Sequence, residues 1–288
     1  MEALETVERI TDLFSRVRRM RPLVHMLPNS VTASLCADAL AAIGARPLMA
    51  VCPREMEEIV SYADALVVNM GQPTREKQEA ASLALTAAGK RPCPVVLDPV
   101  GAGASAYRWK NLEELLAIPW NGAIKGNEAE MHTLCTGELT HEGIDSLRRH
   151  GGLWEKKREL TGKRIYVVTG QEDRIYSMEQ EENIREEARL RWKLAHRARP
   201  ACNVVGTGCM TGAILGALCA VTRELRLSDL EKYDLAARGA LLAMGMVQEQ
   251  AAGIGEYGTC RKLLLDGLSA LSGQEAFRVY IERNWNGG

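Results

Sequence analysis

The sequence predicts a layered α/β fold built on a mostly parallel sheet. Three observations carry this. Apolar runs such as 65–69 (ALVVN) and 94–100 (PVVLDPV) lack polar alternation, so they read as strands buried on both faces. Segments of helical length separate them, which implies right-handed strand–helix–strand crossovers. Glycine-bearing turns follow several strands, at the end of the sheet where such folds bind ligands.

The elements follow in order. Residues 3–20 predict an amphipathic helix, and 23–25 a short strand. Residues 30–43 are rich in Ala and Leu and predict a helix stopped by Gly44. Residues 47–51 are a short apolar run. Residues 53–63 open with Pro53 and carry Glu55, Glu57 and Glu58, as a helix N-terminus prefers. The 65–69 strand leads to a helix over 74–89 with Thr74 as its cap. The 94–100 strand comes next, then strands at 122–124 and 165–169. Residues 189–194 (RLRWKL) alternate, which predicts a half-exposed antiparallel strand with Leu190, Trp192 and Leu194 on one face. The charged run EQEENIREEA before it reads as a solvated loop or short helix. Residues 208–223, 234–251 and 256–271 predict helices. With no linker, repeat or low-complexity tract, residues 1–288 read as a single domain.

Composition narrows the function. Thirty-six basic and 37 acidic residues leave a net charge of −1, so no global attraction to nucleic acid or membrane is expected. The basic stretch from Arg185 to Arg199 offers only Trp192 as an aromatic platform, which also argues against nucleic acid. The eight cysteines form no CxxC pair, and those in apolar runs read as small buried hydrophobes in a reducing compartment. The start MEALETVERI lacks a signal peptide's basic and apolar regions. Apolar runs fall well short of the ~20 residues that span a bilayer. A soluble, cytoplasmic protein is expected. The five histidines share no metal spacing, and His25 is read as structural.

Four turns carry the chemistry: 99–103 after the VVLD strand, 125–130, Gly170 after the 165–169 strand, and 206–209. Gly206-Thr207-Gly208-Cys209 precedes an apolar helix. Its glycines allow close backbone approach, and the helix N-terminus makes an anion hole for a phosphoryl group. A glycine-rich helix start is the plainer reading. Cys209 sits in the first turn, where the dipole favours a thiolate, and either takes a proton or packs. The spacing Asn127-x-x-Glu130 puts two oxygen-bearing side chains on one helical face, and Asp98 ends a strand close by. Oxygen ligands suit Mg²⁺ held through water and phosphate, while Asn127 equally suits a helix cap. Lys125 offers charge for a phosphate or sits on the surface.

The ordered set resembles the hydroxyethylthiazole kinases of thiamin salvage, within the ribokinase-like superfamily. The matching stretches are His25…Asn29-x-Val31, Gly44-Ala45-x-Pro47-x-Met49-Ala50, Ala65-x-Val67-x-Asn69-x-Gly71, 96–104 (VLDPVGAGA), Gly126-Asn127-x-x-Glu130, Val168-Thr169-Gly170 and the GTGC turn. Sugar kinases of the superfamily usually carry Asp where Cys209 stands. The resemblance implies a three-layer α/β/α kinase that moves the ATP γ-phosphoryl to the primary hydroxyl of 4-methyl-5-(2-hydroxyethyl)thiazole. It implies substrate contacts from Met49, Gly206 and Asn29, and ATP contacts from Lys125, Thr169 and Asn127. Asp98 and Glu130 would organise Mg²⁺. The amides around Gly206 and Gly208 would stabilise phosphoryl charge beside Cys209, a weak base or a positioning group. It also implies a homotrimer with interfacial active sites. The family usually has Arg in place of Lys125, and Asn in place of Ser34 and Asp38. The stretch 178–200 is also charged and long for the family. These departures keep two further readings open: a related kinase for a different small alcohol, and a non-catalytic member of the fold.

Overall fold

The computed structural model describes residues 2–140, 163–181, 184–195, 204–252, 256–271 and 277–280. The chain starts with helix α1 (Glu2–Met20) and strand β1 (Leu23–Leu27), then α2 (Ala33–Ala42) and β2 (Arg46–Leu48). A single 3₁₀ turn over Pro53–Glu55 opens α3 (Met56–Tyr62), and β3 (Ala65–Asn69) follows. Thr74 caps α4 (Arg75–Gly89) by accepting from the Lys77 amide at 3.1 Å, as its sequence predicts. Next come β4 (Val95–Asp98), α5 (Ala106–Leu116), β5 (Gly122–Asn127) and α6 (Glu128–Thr136). Strands β6 (Arg164–Thr169), β7 (Glu172–Glu181) and β8 (Ile184–Ala195) then precede α7 (Thr207–Thr222), α8 (Asp229–Ala252) and α9 (Tyr257–Ser269).

All eight strands join one sheet in the order β2-β1-β3-β4-β5-β6-β7-β8. The first six are parallel and the last two antiparallel. Alternate residues of each parallel strand face opposite helical layers. Val67, Val96, Ala123 and Val167 pack with α1, α2, α7, α8 and α9. Leu66, Val68, Leu97, Ile124 and Val168 pack with α3, α4, α5 and α6. The architecture is therefore the expected α/β/α sandwich around a mostly parallel sheet. No helix among the described residues is long and apolar enough to cross a membrane.

Several expectations need correction. The charged run 179–188 supplies the end of β7 and the start of β8, with Glu179 opposite Glu187. Backbone pairing across this hairpin sets the strands, and charge pattern does not reveal pairing. Trp192 and Leu194 are buried, but Leu190 is 45% exposed. Ile175 pairs with Trp192 while Tyr176 pairs with Leu190, so Arg191 is an extra residue that turns Leu190 to the other face. The helix predicted from residue 30 starts at Ala33, because 29–32 form a turn in which the Asn29 side chain accepts from the Thr32 amide at 3.1 Å. Among the described residues Cys36, Cys52, Cys93, Cys135, Cys209 and Cys219 are free thiols, all but Cys52 buried, and Cys260 is disulfide-bonded. His141, His150, Trp154 and His196 lie outside the described residues.

Candidate active site

Strand register brings the chemistry together. Asn69 at the end of β3 stands beside Asp98 at the end of β4. Asn127 at the end of β5 stands beside Thr169 at the end of β6. These ends open into a cavity of about 500 Å³. Asp98, Lys125 and Cys209 line it, with Asn127, Glu130 and Thr169. Gly206 and Gly208 line it from α7, and Asn29, Gly71 and Gln72 from the loops after β1 and β3.

Helix α7 reaches this position because Gly208, Gly212 and Gly216 recur every four residues on one face. A Cβ at Gly216 would stand 2.5 Å from the Val67 side chain, and one at Gly208 would stand 3.0 Å from Lys125 Nζ. The glycine stripe thus lets the helix lie close on the sheet. Gly206 at its N-cap has φ +101°, a conformation open to glycine. It supplies no side-chain cap, so the first-turn amides stay available to a ligand.

A polar network holds the floor of the cavity. Lys125 Nζ donates to Asp98 Oδ1 at 3.4 Å, with both side chains almost wholly buried. Asn69 Nδ2 donates to Asp98 Oδ2 at 2.9 Å and to Cys209 Sγ at 3.1 Å. Asn29 Nδ2 donates to Asn69 Oδ1 at 3.0 Å and to Cys209 Sγ at 3.6 Å. Burial pushes the Asp98 carboxyl up to about 6, against the pull of the Lys125 ammonium. Burial alone would lower Lys125, but the Asp98 and Glu130 carboxylates outweigh it and hold the ammonium above its ordinary value. Cys209 runs against expectation. Burial, then the Asp98 charge, raises its thiol, so the helix N-terminus does not produce a thiolate.

Asn127 and Glu130 form a reciprocal capping box on α6. Glu130 Oε2 accepts from the Asn127 amide at 2.9 Å, and Oε1 accepts from the Gly101 amide at 3.0 Å. The capping reading of Asn127 therefore holds, and both side chains also line the cavity. Among the described residues, no group of three or more His, Cys, Asp or Glu gathers to hold a metal. Two carboxylates facing one cavity, each with lone pairs to spare, still fit Mg²⁺ bound mainly by phosphate and water.

Met49 is the one predicted site residue away from the cavity. It follows β2 and packs, partly buried, against the core on the α1/α2 side. Ser34 and Asp38 are exposed, 3.5 Å apart, and outside the cavity lining. His25 is fully buried with Nε2 3.1 Å from the Ala50 carbonyl, as a structural residue would be. Sequence reasoning quoted Asn69 only within a motif and passed over Arg108, which lines the cavity from α5. An Arg on an amphipathic helix carries no signal of its own.

Comparison with known proteins identifies the relatives of this chain. Residues 14–274 match the Hydroxyethylthiazole kinase family. A hydroxyethylthiazole kinase from Glaesserella parasuis serovar 5 is 34% identical over 276 residues, spanning 93% of this chain and 96% of the relative. One from Clostridium botulinum (strain Alaska E43) is 30% identical over 279 residues, spanning 93% and 94%. The solved hydroxyethylthiazole kinase protein from Pyrococcus horikoshii OT3 superposes with a TM-score of 0.72 at 27% identity, covering 96% of each chain. The chain belongs to the hydroxyethylthiazole kinase family, within the ribokinase-like superfamily.

Proposed function

We propose that the protein phosphorylates the primary hydroxyl of 4-methyl-5-(2-hydroxyethyl)thiazole with ATP. The observation that carries this is one cavity uniting the Asp98–Lys125 pair, the Gly206–Cys209 helix start and the Asn127–Thr169 strand ends. The alcohol lies at the Asn29 and Gly71 end, and ATP enters over Asn127 and Thr169. The alcohol oxygen bonds to the γ-phosphorus as the bond to the β,γ-bridging oxygen breaks. That electron pair leaves on ADP, and the hydroxyl proton passes to solvent. Such loose transfer depends on positioning and charge more than on a base. Amides of α7 and the Lys125 ammonium balance charge on the phosphoryl oxygens. Asp98 and Glu130 would hold Mg²⁺ through water, and the ion would neutralise phosphate charge. Cys209 is a positioning group, since a raised thiol is a poor proton acceptor.

We further propose that the chain acts as one domain and assembles as a trimer with interfacial sites. Val31 and Val205 at the cavity mouth are 66% and 61% exposed, an apolar rim suited to a second copy. Met49 lies off its own chain's cavity, which fits a contact to a neighbour's substrate. Ser34 and Asp38 lie outside the lining and give no support to a different alcohol. A panel of small alcohols with Mg·ATP, read by product mass, tests the assignment. The thiazole phosphate should dominate; another phosphate ester forming faster would reassign the substrate.

A further inference from the structure

The cavity holds a cation that none of these roles uses. Arg108 stands half-buried on α5 with its guanidinium over the turn at Gly101. Its Nη1 donates to the Val100 carbonyl at 3.2 Å, and among the described residues it pairs with no carboxylate. The carboxylates that line the cavity bond to other partners, Asp98 to Lys125 and Asn69 and Glu130 to two backbone amides, and neither pairs with Arg108. Nearby, Lys77 donates from Nζ to the Gly71 carbonyl at 2.6 Å, also without a carboxylate among the described residues. Burial first, and the Arg108 charge among lesser causes, lowers the Lys77 ammonium, so the two cations sense each other. A cation such as Arg108 that lines a cavity without a carboxylate partner calls for an anion.

Topology says which anion. Sheet order places the turn after β4 between the ends of β3 and the ends of β5 and β6. Arg108 therefore stands between the alcohol end and the nucleotide end, where the phosphoryl group crosses. On the kinase reading above, we propose that Arg108 grips the transferring phosphoryl group. Its planar fork can hold two phosphoryl oxygens at once, which an ammonium cannot.

Equilibrium binding of Mg·ATP and Mg·ADP, without acceptor, tests this in wild type, Arg108→Met and Arg108→Lys. Arg108→Met should weaken ATP by about ten- to hundredfold, as loss of a charged hydrogen bond does, and leave ADP within about twofold. Arg108→Lys should recover part of the ATP loss. If Arg108→Met does not fold by circular dichroism, Arg108→Lys carries the test through a selective loss of ATP affinity. Equal losses for ATP and ADP, or none, overturn the proposal and leave Arg108 as a brace for the turn. A wild type that binds ATP but shows no thiazole-dependent ADP release fails the kinase reading alone. A wild type that binds neither nucleotide overturns both.

Discussion

At the scale of the residue, burial decides what each group can do. Cys209 is a test case, because sequence position alone gives it a thiolate and the buried setting beside Asp98 takes it away. A general base contributes about 10²–10⁴-fold. Cys209→Ser should therefore lower turnover by less than about tenfold, whereas loss on the scale of a base would make Cys209 the proton acceptor. Lys77 gives a second test, through stability. Burial pushes it down to about 8 from 10.5, so the unfolded chain binds more protons between those values and stability rises with pH there. The melting temperature of wild type relative to Lys77→Met should climb from pH 8 to 10.5 and level off at its lowest value below 8. A difference flat in pH contradicts this. Asp98 and Asn127 at strand ends, Glu130 three residues on and the GTGC turn at a helix start could be picked out in the sequence because each marks a local element boundary. Asn69 and Arg108 could not, since their meaning lies in what stands beside them across the sheet.

At the scale of the element, α7 carries the site. Its apolar, glycine-striped sequence lets it lie between the sheet and the outer helices with its N-terminus on the cavity. Gly206→Ala would set a Cβ 2.6 Å from Thr32 Cγ2 in a backbone region costly by about 1–3 kcal/mol. It should lower both melting temperature and activity. Gly258→Ala on α9, where a Cβ meets nothing within 4 Å, is the control and should raise stability slightly with activity unchanged. Equal effects from the two would show that the α7 turn is not special. Buried strands and capped helices were readable because periodicity and caps are local. Alternation revealed the antiparallel strand over 189–194, but the strands in the charged run 179–188 and the bulge at Arg191 depend on a partner strand.

At the scale of the whole molecule, strand order brings the ends of β3, β4, β5 and β6 to one cavity, along which the proposed function sets an acceptor end, a phosphoryl crossing and a nucleotide end. Met49 sits apart from this line, and the proposed trimer accounts for that. Met49→Gln and Asp98→Asn should each be weak alone, while subunits mixed after reversible dissociation should regain turnover, because some sites then receive both intact residues. No recovery would place Met49 outside the site. The central claim rests on Asp98 and is tested most directly by ADP release with Mg·ATP, with and without the hydroxyethylthiazole, in wild type and Asp98→Asn. Thiazole-dependent release in wild type, lost by at least about a hundredfold in folded Asp98→Asn, is the predicted result. No stimulation by the thiazole in folded wild type, or equal turnover in the variant, would contradict it.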